Sequence, residues 1–283
     1  MTRWLIVGGN GQLGGDLLDV LSDTDCIGMD LPDLDITDHR SVEAALAECQ
    51  PDVVVNAAAY TAVDDAEAAE ELATAVNGTA PGVLATAVSG RPGVRLVHIS
   101  TDYVFPGTAA TPYAEDAEPG PESAYGRSKL IGERAVLTAL PGRSFVVRTA
   151  WLYGEHGTNF VKTMLRLESE RDEVAVVTDQ IGQPTWSRDL AGQIRLMIDR
   201  DAPAGIFHGT NSGAVSWFGF TQEIFRLAGA DPARVRPTTS DAFPRPAPRP
   251  SYSVLGHDRW QAVGLPPMRP WDEALAEALP RLR

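Results

Sequence analysis

Four apolar residues, Trp4-Leu5-Ile6-Val7, run straight into Gly8-Gly9-Asn10-Gly11, and Leu13, Leu17, Leu18 and Leu21 then recur at helical spacing. An apolar run without polar alternation, stopped by glycine, suits a strand covered on both faces, and such strands belong to parallel sheets. A parallel neighbour is reached only through a crossover, usually a helix. This opening therefore demands further strand–helix units, and the chain supplies them. Cys26 to Met29, Val53 to Val55, Leu96 to Ile99 and Phe145 to Val147 read as further strands, each largely apolar. Ser41 to Cys49, Ala66 to Val76, Ala80 to Val88 and Ala124 to Leu140 read as helices, the last stopped by Pro141-Gly142. The alternation predicts an α/β fold built on a doubly wound parallel sheet.

Beyond about residue 150 the alternation loosens. Asn159 to Glu168, Ser187 to Ile198, Trp217 to Ala228 and Trp271 to Leu279 read as helices, with short strands at Val174 to Val177 and Gly205 to His208. Residues 237 to 250 are dense in Pro and Arg and read as an ordered loop. We expect a dinucleotide-binding domain over 1–149 and a smaller substrate lobe over 150–283, with parts of about 187–208 returning to the first domain. The 283 residues, 43% of them hydrophobic, can fill cores of that size.

Gly8, Gly11 and Gly14 form G-x-x-G-x-x-G between the first strand and the first helix. Glycine permits the tight turn and lets backbone approach a pyrophosphate, which the helix N-terminus attracts. A glycine triplet alone is weak evidence, but its context requirement is met here. Asp30 closes the second strand, where an acid accepts hydrogen bonds from the adenosine ribose and repels a 2′-phosphate. Leu31-Pro32-Asp33 follow it without a base, which favours NADH, although Arg3 and Arg40 could soften the preference. Asp35-Ile36 could flank the adenine, and Ala57-Ala58-Ala59, with small side chains after strand three, let a ligand lie on the backbone.

Tyr125 and Lys129 stand four apart in a predicted helix and so share one face. A cation about 4 Å away at an effective dielectric of about 20 is worth roughly 4 kcal/mol, roughly three pKa units on a phenol that titrates near 10. The spacing alone thus predicts a phenol brought toward 7 and able to protonate a carbonyl oxygen as hydride reaches its carbon. Thr101, in Ser100-Thr101-Asp102-Tyr103, follows strand four, at the strand ends where ligands of open parallel sheets bind. Its hydroxyl can bond the same oxygen.

Charge bounds the partners. A net −14 repels nucleic acid and anionic membranes, so an anionic substrate needs a local basic pocket. Arg245 and Arg249 of the Pro-rich segment could supply it to a diphosphate. Two cysteines without metal-type spacing argue against structural zinc. No run reaches the roughly 20 apolar residues of a membrane span, and the N-terminus has no signal-peptide pattern, so a cytoplasmic protein is expected.

GGNGQLG at 8–14, VVNAAAYTAVDDAE at 54–67, STDYVFPG at 100–107, YGRSKLIGE at 125–133, RTAWLYG at 148–154, NFVKTMLRL at 159–167 and DQIGQPT at 179–185 together resemble the extended short-chain dehydrogenase/reductases. The resemblance runs over essentially the whole chain and is strongest with reductases of nucleotide-linked sugars. It implies a Rossmann domain, NADH or NADPH as cofactor and a dTDP-linked 4-keto deoxyhexose as substrate. It implies Tyr125 as proton donor, Lys129 as its partner and Thr101 as ligand of the carbonyl oxygen. It sets Gly11, Gln12, Leu13, Asp30, Asp35, Ile36, Ala59, Tyr60 and Thr61 against the cofactor, and Asp102, Tyr103 and Trp151 near the sugar or nucleotide. Dehydratase relatives carry Thr-Asp-Glu where this chain has Thr101-Asp102-Tyr103, which favours reduction. The intact Tyr125–Lys129 pair argues against a non-catalytic, dinucleotide-binding regulatory subunit. Some relatives dimerise through magnesium held by glutamates; Asp16 and Arg188 stand in the corresponding positions here, so no metal is expected and a homodimer stays open.

Overall fold

A computed structural model describes residues 1–283. The chain builds β1 (Arg3–Val7), α1 (Gln12–Val20), β2 (Asp25–Met29), α2 (His39–Cys49) and β3 (Val53–Asn56). Two short helices follow, α3 (Val63–Ala66) and α4 (Glu70–Thr74), then a π-helical turn at Ala75–Thr79, α5 (Ala80–Ser89) and β4 (Arg95–Thr101). After them come α6 (Ala124–Ala139), β5 (Ser144–Thr149), β6 (Leu152–Tyr153), α7 (Phe160–Glu170), β7 (Val174–Val177), β8 (Ile181–Gly182), β9 (Thr185–Trp186) and α8 (Ser187–Asp199). The chain ends with β10 (Gly205–His208), β11 (Val215–Ser216), α9 (Trp217–Ala228), β12 (Val235–Thr238), α10 (Asp258–Ala262) and α11 (Trp271–Leu282).

The main sheet is six-stranded and parallel, in the order β10-β5-β4-β3-β1-β2. Successive side chains of a strand point to opposite faces, which explains the uninterrupted apolar runs. Trp4, Ile6, Val53 and Val55 enter one core with Leu13 and Leu17 of α1, Leu190 and Ile194 of α8 and Trp260 of α10. Leu5, Val7 and Val54 enter a second core with Val42 of α2, Leu84 of α5 and Val136 of α6. A third core, around Trp186, Phe220, Ile224, Phe225 and Leu275, belongs to the smaller lobe, whose elements include α7, α9 and α11.

Three details depart from the sequence reading. β2 is apolar yet forms the sheet edge, with Ile27 exposed. The stretch expected as one helix over 66–76 is broken into α3, α4 and the π turn. α11 continues through Pro280 to Leu282, which is buried in the lobe core. The return to the main sheet also reaches further than 187–208. Trp260, Leu265 and Met268 join the first core, and the Trp260 indole donates to His208 O at 2.7 Å.

Candidate active site

From β1 the chain passes to β2 on one side of the sheet and then to β3 on the other, so the strand order reverses between β1 and β3. A crevice opens there beyond the strand ends, as it does in other open α/β sheets. One cleft of about 630 Å³ occupies it. Gly8, Gly11, Gln12 and Leu13 of the glycine turn line it, with Asp30, Asp35 and Ile36 from the loops after β2 and Ala58, Ala59 and Thr61 after β3. Thr101, Asp102, Tyr103, Tyr125, Lys129 and Trp151 line the rest.

Two glycines shape the turn. Gly8 has φ +82°, and a Cβ on it would lie 2.7 Å from Ala58 N. A Cβ on Gly14 would run into Gly8 O, so Gly14 acts from beneath the turn rather than on the cleft wall. No side chain caps α1, leaving its first N–H groups free for an anion. Bare backbone, a helix N-terminus and an open crevice together fit the pyrophosphate of a dinucleotide. Asp30 accepts from Asn10 N at 3.2 Å and Leu31 N at 2.8 Å, and its carboxylate keeps lone pairs for the cleft. Asp35 is engaged by Thr37, which donates from N at 2.8 Å and from its hydroxyl at 2.6 Å.

Tyr60 does not line the cleft. Its N donates to Asn77 Oδ1 at 2.8 Å and its carbonyl accepts from Asn77 Nδ2 at 2.9 Å. Asn77, in the π turn, also donates to Ser128 Oγ at 3.1 Å, and Ser128 donates to Tyr125 O at 2.7 Å. The loop after β3 is thus tied to the helix that carries Tyr125. Nothing in the sequence pattern had drawn attention to Asn77, because its partners are remote in the chain.

Ser123 caps α6 by accepting from Gly126 N at 3.1 Å, which sets Tyr125 in the first turn. The phenol packs edge-on against Tyr103, with ring centroids 5.6 Å apart. The expected descent of this phenol toward 7 does not occur. Burial pushes Tyr125 up to about 12, against the opposing influence of the nearby Thr101 hydroxyl. Lys129 Nζ instead donates to Ile99 O at 2.6 Å, and burial lowers it to about 8, opposed by the negative Glu133. The i, i+4 spacing brings both groups to one cleft but does not decide what the ammonium bonds. Tyr125 therefore holds its proton throughout the neutral range, as a proton donor must.

Beneath the cleft lies a buried ion pair. Glu133 accepts from Arg148 Nε at 2.9 Å and Nη2 at 2.8 Å, and Ser100 Oγ donates to the same carboxylate at 2.5 Å. Trp151 stands at φ +45°, a conformation rare for a non-glycine residue. Its indole stacks on Trp217 of α9 at 3.5 Å, and a Cβ on Gly182 would reach it at 2.6 Å. Neighbours thus fix a strained residue on the cleft wall, the situation in which strain points to function. Arg249 and Arg245 do not line the cleft. Both face Asp64 of α3, at 2.8 and 3.8 Å. Thr149 lines the cleft and went unnoticed in the sequence; its buried hydroxyl has no partner.

Outside the cleft, ligand atoms of Asp16, Asp19 and His156 lie within 4.8 Å of one another. Ser187 already donates to Asp16, and Arg188 faces Asp19 at 3.8 Å. No helix is long and apolar enough to cross a membrane.

The family profile described as RmlD substrate binding domain matches residues 2–283. A Streptomyces antibioticus protein, a probable dTDP-4,6-dihydroxy-2-methyloxan-3-one 4-ketoreductase, is 54% identical over 98% of this chain and 95% of its own. The dTDP-4-dehydrorhamnose reductase of Streptomyces griseus is 51% identical, covering 99% of this chain and 94% of its own. The crystal structure of dTDP-4-dehydrorhamnose reductase from Bacillus anthracis in complex with NADP superposes with a TM-score of 0.94, at 40% identity and 98% coverage of both chains.

Proposed function

We propose that this chain, which belongs to the RmlD substrate binding domain family, reduces the 4-keto group of a dTDP-linked deoxyhexose to a hydroxyl, with dTDP-4-dehydro-L-rhamnose giving dTDP-L-rhamnose as the first candidate reaction. NADH or NADPH supplies the hydride. The residues of the chain do the rest. The glycine turn and the α1 N-terminus hold the pyrophosphate, and Asp30 holds the adenosine ribose. Tyr125 gives its proton to the keto oxygen, Thr101 bonds that oxygen, and Lys129 holds the cofactor's second ribose and steadies the charge left on the phenol. Asp102, Tyr103 and Trp151 contact the sugar. Arg249, drawn away from Asp64, meets the diphosphate.

The observation that carries this reading is the convergence of Tyr125, Lys129 and Thr101 on the one cleft that the glycine turn also lines. The test is an assay of dTDP-4-dehydro-L-rhamnose with both cofactors, followed by loss of reduced-nicotinamide absorbance. Turnover is expected. A second reading, reduction of a different dTDP-linked 4-keto sugar, is favoured by the 54% identity to the Streptomyces antibioticus 4-ketoreductase. Turnover only with another such sugar selects it, and no turnover with any sinks both.

Asp30 also sets the cofactor preference. A carboxylate facing a 2′-phosphate is repulsive, so NADH is expected to bind more tightly than NADPH. Asp30→Ala is expected to raise the NADPH-to-NADH affinity ratio at least roughly tenfold, about 1.4 kcal/mol. Fluorescence titration reads both constants, and an unchanged ratio removes Asp30 from the selection.

A further inference from the structure

Resting on the reductase reading, we propose that Asp102 works as a neutral carboxyl that turns the Thr101 hydroxyl proton toward the keto oxygen. A hydroxyl has one proton to donate and two acceptor sites. Thr101 Oγ1 accepts from Tyr103 N at 3.2 Å, capping the short turn at Asp102–Val104. Its own proton goes to Asp102 Oδ1 at 3.0 Å. With a charged carboxylate that bond is charge-assisted, roughly twice the strength of a neutral one. The proton then stays on the Asp102 side, and Thr101 offers only a lone pair to the cleft. A keto oxygen is itself an acceptor, so the two would repel. Once Asp102 carries a proton, the bond reverses. Asp102 donates to Thr101 Oγ1, and the threonine proton is free to support the oxygen that Tyr125 protonates.

The surroundings favour the neutral form. Asp102 is 3% exposed and has no cation within ion-pair distance. Its Oδ2 accepts no well-formed hydrogen bond; the buried Ser253 hydroxyl, itself without another partner, is near enough to favour the charged form. The titratable side chains that face it are Tyr103 on its own turn and Tyr125 on α6, and neither brings positive charge. Burying an unpaired carboxylate is costly. Burial pushes Asp102 up to about 6, against the opposing hydroxyls of Ser253 and Thr101. A dinucleotide and a nucleotide diphosphate bound nearby add negative charge that pushes the same way.

The test is kcat/KM against pH, from about 5 to 9, for the wild type and Asp102→Asn. Ionisation of Asp102 removes the donor, so wild-type activity is expected to fall about tenfold per pH unit above the transition. The amide of Asp102→Asn can donate to Thr101 at every pH, so its profile is expected to be flat up to about 8, where Lys129 loses its charge. A wild type without a descending limb below about 8, such a limb persisting in the variant, or a variant that binds cofactor normally but is inactive at every pH overturns the proposal. Ser253→Ala provides a second arm if Asp102→Asn does not fold. Removing a hydroxyl that stabilises the charged form should move the limb to higher pH, and an unmoved limb counts against Asp102. Infrared spectra of the protein without turnover separate this proposal from the reductase reading. A protonated-carboxyl band is expected at low pH, lost on raising it and absent from Asp102→Asn; its absence from the wild type overturns the proposal even if the sugar is reduced. If no keto sugar is turned over, the reductase reading fails, and the band still decides the state of Asp102.

Discussion

Tyr125→Phe is expected to lower kcat by about 10²- to 10⁴-fold, the usual worth of a positioned general acid, while cofactor affinity stays close to wild type. The change removes one oxygen and leaves a ring of the same shape to pack against Tyr103. The glycine turn and Lys129 are untouched, so the variant should still titrate with NADH. The phenol's raised pKa fixes the sign of the pH dependence. A group held up to about 12 stays protonated below that value, so proton donation by Tyr125 produces no falling limb near neutrality. Lys129, lowered to about 8, loses charge as pH rises through that value and contributes a limb there. Near wild-type turnover by Tyr125→Phe would remove this tyrosine as the donor.

The second large effect is on stability. Glu133 and Arg148 each have side chains 2% exposed and are joined at 2.8 Å. Glu133→Ala strands a guanidinium that the fold cannot hydrate, and such losses cost about 3–5 kcal/mol. Urea unfolding should show a loss of that size. The double variant Glu133→Leu, Arg148→Met is expected to recover most of it, because two apolar side chains need no counter-charge. A single-variant loss below about 1 kcal/mol would mean that water reaches the pair. The pair also bears on the cleft. Ser100, bonded to Glu133, is the neighbour of Thr101, so the double variant can be stable and still slow.

The sequence made some levels of this organisation legible and hid others. Where one strand or helix serves one purpose, pattern was enough. Trp217 to Ala228 and Gly205 to His208 were bounded by their own apolar periodicity and emerge with those limits. The glycine turn was readable because its requirement is local, a short backbone path between strand and helix. The broken helix over 63–79 was not readable. Its alanines fit any helix, and the π turn is set by bonds from Asn77 to Tyr60 and Ser128, far apart in the chain. Tyr125 and Lys129 show the same limit in electrostatics. Their spacing gives nearness, whereas the pKa of each follows first from burial, and the ammonium bonds the carbonyl of Ile99, which only the folded sheet brings to it. Arg245 and Arg249 were readable as cations but not as partners of Asp64, since a Pro-rich segment carries no periodicity to say what it will touch.

The origin of the sixth strand bears on how the protein comes into being. β10 arrives only after residue 205, and α8, which with α1 covers β1 and β3 on one face, arrives only after residue 187. A nascent chain that has emerged as far as β5 already carries every glycine of the turn, Tyr125 and Lys129. It also presents a strand with an open edge and a sheet with one apolar face covered by α1 alone, both invitations to association with other chains. Tyr125 and Lys129 are thus translated early but consolidated late, and synthesis must run nearly to Met268, the last residue of that core, before the crevice has a firm floor.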